Sequence, residues 1–503
     1  MIEMTPELHS RVTARPGRMA RAALAALLAV GMAIGLVACG GSGVGSNGTG
    51  AAPQGSGTGT VTGFGSVYID GVAYEDSDAT VEVEEADGST TSTETKMGQR
   101  VEVLYEPGSS RALARRIRVE ASLIGSVDSV GTTSLVVLGQ TVRVNSDASA
   151  GPVTVFDTAT GTALGGDLTD VAAGDPVEVH AVRKTVGTTV ELWATRVERL
   201  DALRRLRASG VITEASAGGF SLGSLTVNTA AATVLPANTA PAVDQWVVVY
   251  ATKDDLSGSV LTARRVRIGE RATVAVSDDE ARLGGYVAKL VGGSQFQIED
   301  VVVKLQTTTK VEPSSTSLAE GKYVRVEGSY DSDGNLLASE IHISTADDGA
   351  ELHGSIVQLN TTTMSTFRVR DTWVDVPDAR VIDWGECTTR TLADDLYVEV
   401  RGVMSRGVLQ ATSIVCEKDA APTGKVIERH GTVSALKAES KQLTLLHHSD
   451  SLTVQWTATT YFRYPLTAGS LSSLLTTNET IEVEGRMEGS VLVATKIKPR
   501  SGD

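Results

Sequence analysis

Seven histidines stand at 9, 180, 342, 353, 430, 447 and 448, and imidazole is the side chain best suited to hold a metal or move a proton near neutrality. His447 and His448 form the one adjacent pair; neighbours on a strand point to opposite faces, which makes them poor joint ligands. "DSDGN", Asp331–Asn335, copies the first part of a calcium loop, but His342 stands where the twelfth-position Glu is required. A hairpin turn is the expectation there. The acidic pairs Glu84-Glu85, Asp278-Asp279 and Asp394-Asp395 would need to converge in one cleft to hydrolyse a glycosidic bond, and read more simply as solvated turns. Arg115-Arg116, Arg204-Arg205 and Arg264-Arg265 suggest phosphate binding at first sight, yet a solvated strand face is the expectation for them. No Gly-x-Ser-x-Gly elbow, phosphate loop or His-Glu-x-x-His occurs. No catalytic residue, metal or cofactor is therefore expected.

The three cysteines are more informative. Arg11, Arg15, Arg18 and Arg21 precede the apolar run Ala22–Ala38, whose end forms the tetrad Leu36-Val37-Ala38-Cys39, followed by Gly40. This tetrad behind a basic and an apolar region resembles the lipobox of bacterial lipoproteins. The resemblance implies cleavage after Ala38 and a lipid on the Cys39 sulfur, with residues 1–38 a signal peptide. Gly40, rather than Asp, follows the cysteine, which by the same resemblance permits transfer to the outer membrane. Each buried methylene contributes about 0.8 kcal/mol, enough for two or three acyl chains to anchor durably. Residues 39–57, rich in Gly and Ser, read as the lipidated cysteine and a flexible tether. Cys387 and Cys416 then remain in an oxidising compartment, and a disulfide between them is expected, worth about 3.5 kcal/mol by loop closure.

Beyond the tether, three landmarks recur six times in one order. Gly-x-Val/Ile opens each unit at 59, 125, 210, 285, 354 and 431. A Val-x-Val-type strand follows: "VEV" at 101, "VEV" at 177, "VVV" at 247, "VRV" at 324, "VEV" at 398 and "IEV" at 481. Ala-x-x-Ile/Val closes it at 114, 194, 263, 338, 411 and 494. Apolar and polar residues alternate, as in Val101-Glu102-Val103, so the units are built of strands. The expected modules are 58–121, 122–202 (with an insertion), 203–271, 280–345, 350–418 and 426–500, and the 503-residue length agrees with several domains. In each closing landmark the Ala is expected to pass close to a neighbouring strand and the Ile or Val to point inward. The five tryptophans occupy unmatched positions, so they form no repeated sugar-stacking platform.

This order of landmarks resembles the bacterial domain-of-unknown-function family numbered 5666. The resemblance implies an all-β chain of about six small OB-like β-barrel modules and transfers no functional residue. Without residues 1–38 the chain has 41 basic and 59 acidic side chains, net −18, which excludes nucleic acid as a partner. The expected function is a non-catalytic lipoprotein of the cell envelope, anchored to the membrane by lipid and acting as a structural or interaction protein. Its partner would be an envelope protein or glycan. The alternative is an oligosaccharide- or peptide-binding protein that uses OB-like barrel faces.

Overall fold

Module four shows how the landmarks become structure. Its opening Gly285 lies in Glu280–Val291, which leads through Gln295–Ile298 to Val301–Glu312; Val-x-Val lies in Tyr323–Tyr330 and the closing Ala338 in Leu336–Ile343. Strand one pairs with two, two with three, three in parallel with five, five with four, and four returns antiparallel to one. The same ring is found in module one, module two and module five. Module six closes as a barrel of Ile427–Lys437, Gln442–His447, Asp450–Phe462, Thr480–Glu488 and Val491–Pro499. In module three breaks in strands one and five divide the ring between two sheets. Strand makes up about 61% and helix 4%, an all-β chain of tandem modules.

The computed structural model describes residues 55–107, 112–157, 166–269, 280–345, 348–378, 381–385, 387–418, 427–447, 450–462, 466–477 and 480–499. Leu36, Val37, Ala38 and Cys39 lie outside the described residues, as does His448. Among the described residues no helix is long and apolar enough to cross a membrane.

The closing landmark contains a physical puzzle, because residues three apart on a regular strand face opposite sides. Yet Ala114, Ala194, Ala263, Ala338, Ala411 and Ala494 are at most 3% exposed, and the Ile or Val three residues on at most 1%. A β-bulge resolves it. In module four the register passes from Glu327↔Glu340 to Gly328↔Ala338, leaving Ser339 unopposed. The same skip falls at Arg115, Thr195, Thr412 and Thr495. One extra residue brings positions i and i+3 to the same face. At four bulges the unopposed residue is Ser or Thr, and its hydroxyl donates to the carbonyl of the facing strand: Thr195 to His180, Ser339 to Glu327, Thr412 to Arg401 and Thr495 to Glu484. Opposite lies Gly328, Gly402 or Gly485 in modules four to six, where a Cβ would run into a backbone carbonyl oxygen.

The modules are joined by more than chain. The first strand of module one, Gly55–Phe64, lies parallel to strand one of module four from Gly55↔Glu280 to Thr58↔Leu283. Its end lies parallel to Ala350–Val357 of module five, with Gly63 opposite Glu351. The expected tether, 39–57, therefore yields its last three residues to a strand. Gly55 is needed there because a Cβ would strike the ring of buried Tyr105. Modules one and five share one apolar core, modules two and three another. Modules four and six each have their own.

Candidate functional site

Among the described residues, a dense group of ionisable side chains lies where module five meets module six. Alternation along Tyr397–Ser405 buries Val398 and Val400 in the barrel and turns Glu399 outward. Likewise Ile481 and Val483 face inward while Glu482 and Glu484 face out, and Ile497 points into module six between Lys496 and Lys498. His353 comes from strand one of module five and Glu417 from the end of its strand five, Val408–Lys418. These outward faces meet each other instead of water: Glu399 is 1% exposed and Lys498 is fully buried.

Lys496 Nζ donates to Glu399 Oε2 at 3.0 Å and to Glu417 Oε1, and lies 3.4 Å from Glu484 Oε1. Lys498 Nζ donates to Glu399 Oε2 at 2.9 Å and is 2.9 Å from Glu482 Oε1. Arg401 sits 2.9 Å from Glu351 and 3.0 Å from Glu399. Burial opposes ionising Glu417, but Lys496 and His353 outweigh it and hold the carboxyl at about 2. Glu399 is held well below the usual range against the same burial penalty by Lys498 and Lys496. Burial works against the Lys496 ammonium too, and the surrounding Glu484, Glu399 and Glu417 raise it nonetheless.

His353, Glu399, Glu417 and Glu484 each offer an atom within 4.8 Å of the others, a composition that suits a metal. The Lys496 ammonium, however, already lies among three of those carboxylates and supplies the cation. Nor does the cluster suit acid–base catalysis, which needs a group that trades protons near the working pH. Glu399 and Glu417 stay ionised and Lys496 protonated across that range. The arrangement is a buried ion network that holds two modules together.

A second network joins modules one, two and three. Glu84 takes Arg265 at 2.5 Å, Arg267 at 3.5 Å and the Tyr250 hydroxyl at 2.7 Å; Glu120 takes Arg207, and Arg267 at 3.3 Å. Arg205 bridges Glu85 and Glu178. The Tyr250 ring lies under Arg265 and Arg207, and its hydroxyl is pushed up to about 12 by burial. A recess at this junction is lined by Glu84, Arg205, Arg207 and Tyr250 among others. Arg183 links modules two and four by a two-pronged bond to Asp300, both arms 3.0 Å. Arg196, only 1% exposed, donates to Met97 O in module one and lies 3.7 Å from Asp371 in module five.

These contacts correct the expectation of solvated arginines. Arg264 is exposed in the break of strand five as expected, but Arg265 and Arg205 pair with carboxylates of neighbouring modules. Glu84 and Glu85, read as a solvated turn, are their partners. Other expectations fare differently. Cys387 and Cys416 are bonded, with Cα atoms 5.8 Å apart. "DSDGN" is a turn: Asp331 accepts from the Asp333 and Asn335 amides and from Lys304, so its carboxylate is already committed. His353, Glu399, Glu417, Glu484, Lys496 and Lys498 were not foreseen as a group. The available signal was a charged residue at the outward position beside an inward Val or Ile, but nothing local reveals which faces meet.

The family model described as Domain of unknown function (DUF5666) matches residues 124–198, 209–267, 284–342, 353–415 and 430–498, well over half the chain. The chain belongs to the DUF5666 family. The five matched DUF5666 repeats are modules two to six, and residues 55–119 repeat their strand order outside the match. Across these repeats the inward landmark residues build the module, while the outward ones between them differ from module to module and in several carry the charges that join modules. No curated protein matches the chain.

Proposed function

We propose that this chain is a non-catalytic, membrane-tethered lipoprotein of the cell envelope whose packed β-modules form one structural or interaction element. The observation that carries the reading is that the buried polar clusters are consumed in joining modules. Their carboxylates face lysines and arginines of another module at hydrogen-bonding distance. The lipobox-like Leu36-Val37-Ala38-Cys39 supports an anchor at the N-terminus, and Gly40 supports the outer membrane as its destination. Net acidity supports a protein or glycan partner over nucleic acid.

Expression of the full chain in a Gram-negative host fed an alkyne-tagged fatty acid tests the anchor. The wild-type chain should carry the tag and sediment with outer membrane, and Cys39→Ser should lose both. Label retained by Cys39→Ser would overturn it. Incubating the delipidated mature chain with envelope fractions tests the role. Retention of a protein complex supports the reading, retention of a glycan favours the oligosaccharide-binding alternative, and turnover of an envelope polymer contradicts both.

A further inference from the structure

His353 stands where three modules meet. Its side chain is 5% exposed, with Nε2 2.8 Å from Glu351 Oε1 and Nδ1 3.7 Å from Glu417 Oε2. Gly65 of module one closes over the ring, since a Cβ there would lie within 3 Å of the imidazole. A neutral imidazole donates from one nitrogen and points a lone pair from the other. Here that lone pair would face a buried carboxylate, so only the doubly protonated ring matches both neighbours.

We infer that His353 is a proton-held latch, docking module six on module five while its imidazole carries both protons and releasing it when one is lost. The link runs through Glu417: one oxygen faces His353, and the other accepts from Lys496 of module six. The charge balance makes the proton matter. Among the described groups that face one another here, Glu351, Glu399, Glu417, Glu482 and Glu484 stand against Arg401, Lys496 and Lys498. Arg370, which donates to the His353 carbonyl, adds a fourth positive charge, and the imidazolium a fifth beside the five negative ones. Module one presents Tyr68, whose hydroxyl donates to the same Glu351 Oε1 at 3.1 Å. Strand one of module five presents Glu351, strand four Tyr397, Glu399 and Arg401, and strand five Glu417. Module six presents Glu482, Glu484, Lys496 and Lys498.

Burial disfavours the imidazolium, yet Glu417 and Glu351 outweigh it and hold the ring well above its ordinary range. A folded-state value above the unfolded one gives stability that is complete below about pH 6.5 and lost as pH rises through the raised value. The latch is therefore closed at neutral pH, where Glu417 is also ionised, and opens in alkali.

The test uses the full mature chain, which does not depend on lipidation, so its failure and that of the envelope reading are separable. Histidine-labelled NMR, with the His353 resonance assigned by its loss in His353→Gln, should show a titration displaced upward from 6.5. Hydrogen exchange of Thr480–Glu488 and Val491–Pro499, corrected for base catalysis, should lose at least ten-fold protection across that same titration. His353→Gln should show that loss already at pH 7, and Glu417→Gln should abolish its pH dependence, with modules two and three still protected in both. A His353 titration at or below 6.5, or an unchanged alkaline loss in both variants, would overturn the inference.

Discussion

At the scale of single residues, the informative side chains are charged ones that the landmarks leave free to vary. Glu120 illustrates their weight. Burial opposes its ionisation, but Arg207 and Arg267 hold it below the usual carboxylate range. Removing one member of a buried ion pair strands the others without compensation, at a cost of about 3–5 kcal/mol. Glu120→Gln should accordingly lower the unfolding free energy by about 3 kcal/mol, read from the denaturant midpoint; a loss below about 1 kcal/mol would show the arginines to be satisfied elsewhere. Thr195 makes a smaller, more local contribution. Its buried hydroxyl reaches the His180 carbonyl across the bulge at 3.3 Å. Thr195→Val keeps the shape and removes the donor, and should cost about 1 kcal/mol in the same measurement.

At the scale of the strand, the bulge sets the module's geometry, and the residue facing it must be small. Gly485 lies opposite Ala494, where a Cβ would strike the Val493 carbonyl oxygen. Backbone cannot give way as a flexible side chain would, so Gly485→Ala should destabilise module six by about 1–3 kcal/mol. Hydrogen exchange of Thr480–Glu488 should report it while modules two and three stay unchanged. The disulfide acts on a longer element. It links Cys387 to Cys416 of module five across a sequence separation of 29. Replacing both cysteines with Ala should cost about 3.5 kcal/mol through the freed unfolded chain, measured by equilibrium unfolding against the oxidised protein. No loss would mean the unfolded state is already restricted there.

At the scale of the whole molecule, the modules form one packed body, with module one joined by strand pairing to modules four and five. Module six is joined to module five through buried ionised groups, so acid should separate it. Glu417 is held at about 2, below its ordinary value, by Lys496 and His353 against the burial that opposes them. A depressed folded value gives stability that is complete above about pH 4.5 and lost as pH falls through 2. Thr480–Glu488 and Val491–Pro499 should therefore lose exchange protection progressively between about pH 4.5 and 2, ahead of module two. Simultaneous loss in both would show that the network does not govern the joint.

The sequence alone determined the unit and its number of repeats. Alternation decides which residues face inward, and it is a local property that each strand carries in its own letters. The Ala and Ile of the closing landmark were legible for that reason, although the bulge that puts both on one face appears only when strand four is laid beside strand five. The Cys387–Cys416 pair was legible because two cysteines remained for one bond. What the tertiary structure decided is everything that depends on two outward faces meeting. Gly55 reads as tether until Tyr105 and Glu280 are placed beside it, and Arg265 reads as solvated until Glu84 arrives from a strand some 180 residues earlier. A charged residue on the outside of a strand has the same local pattern whether water or another module covers it. Only packing distinguishes the two, by removing the water and leaving the opposite charge in its place.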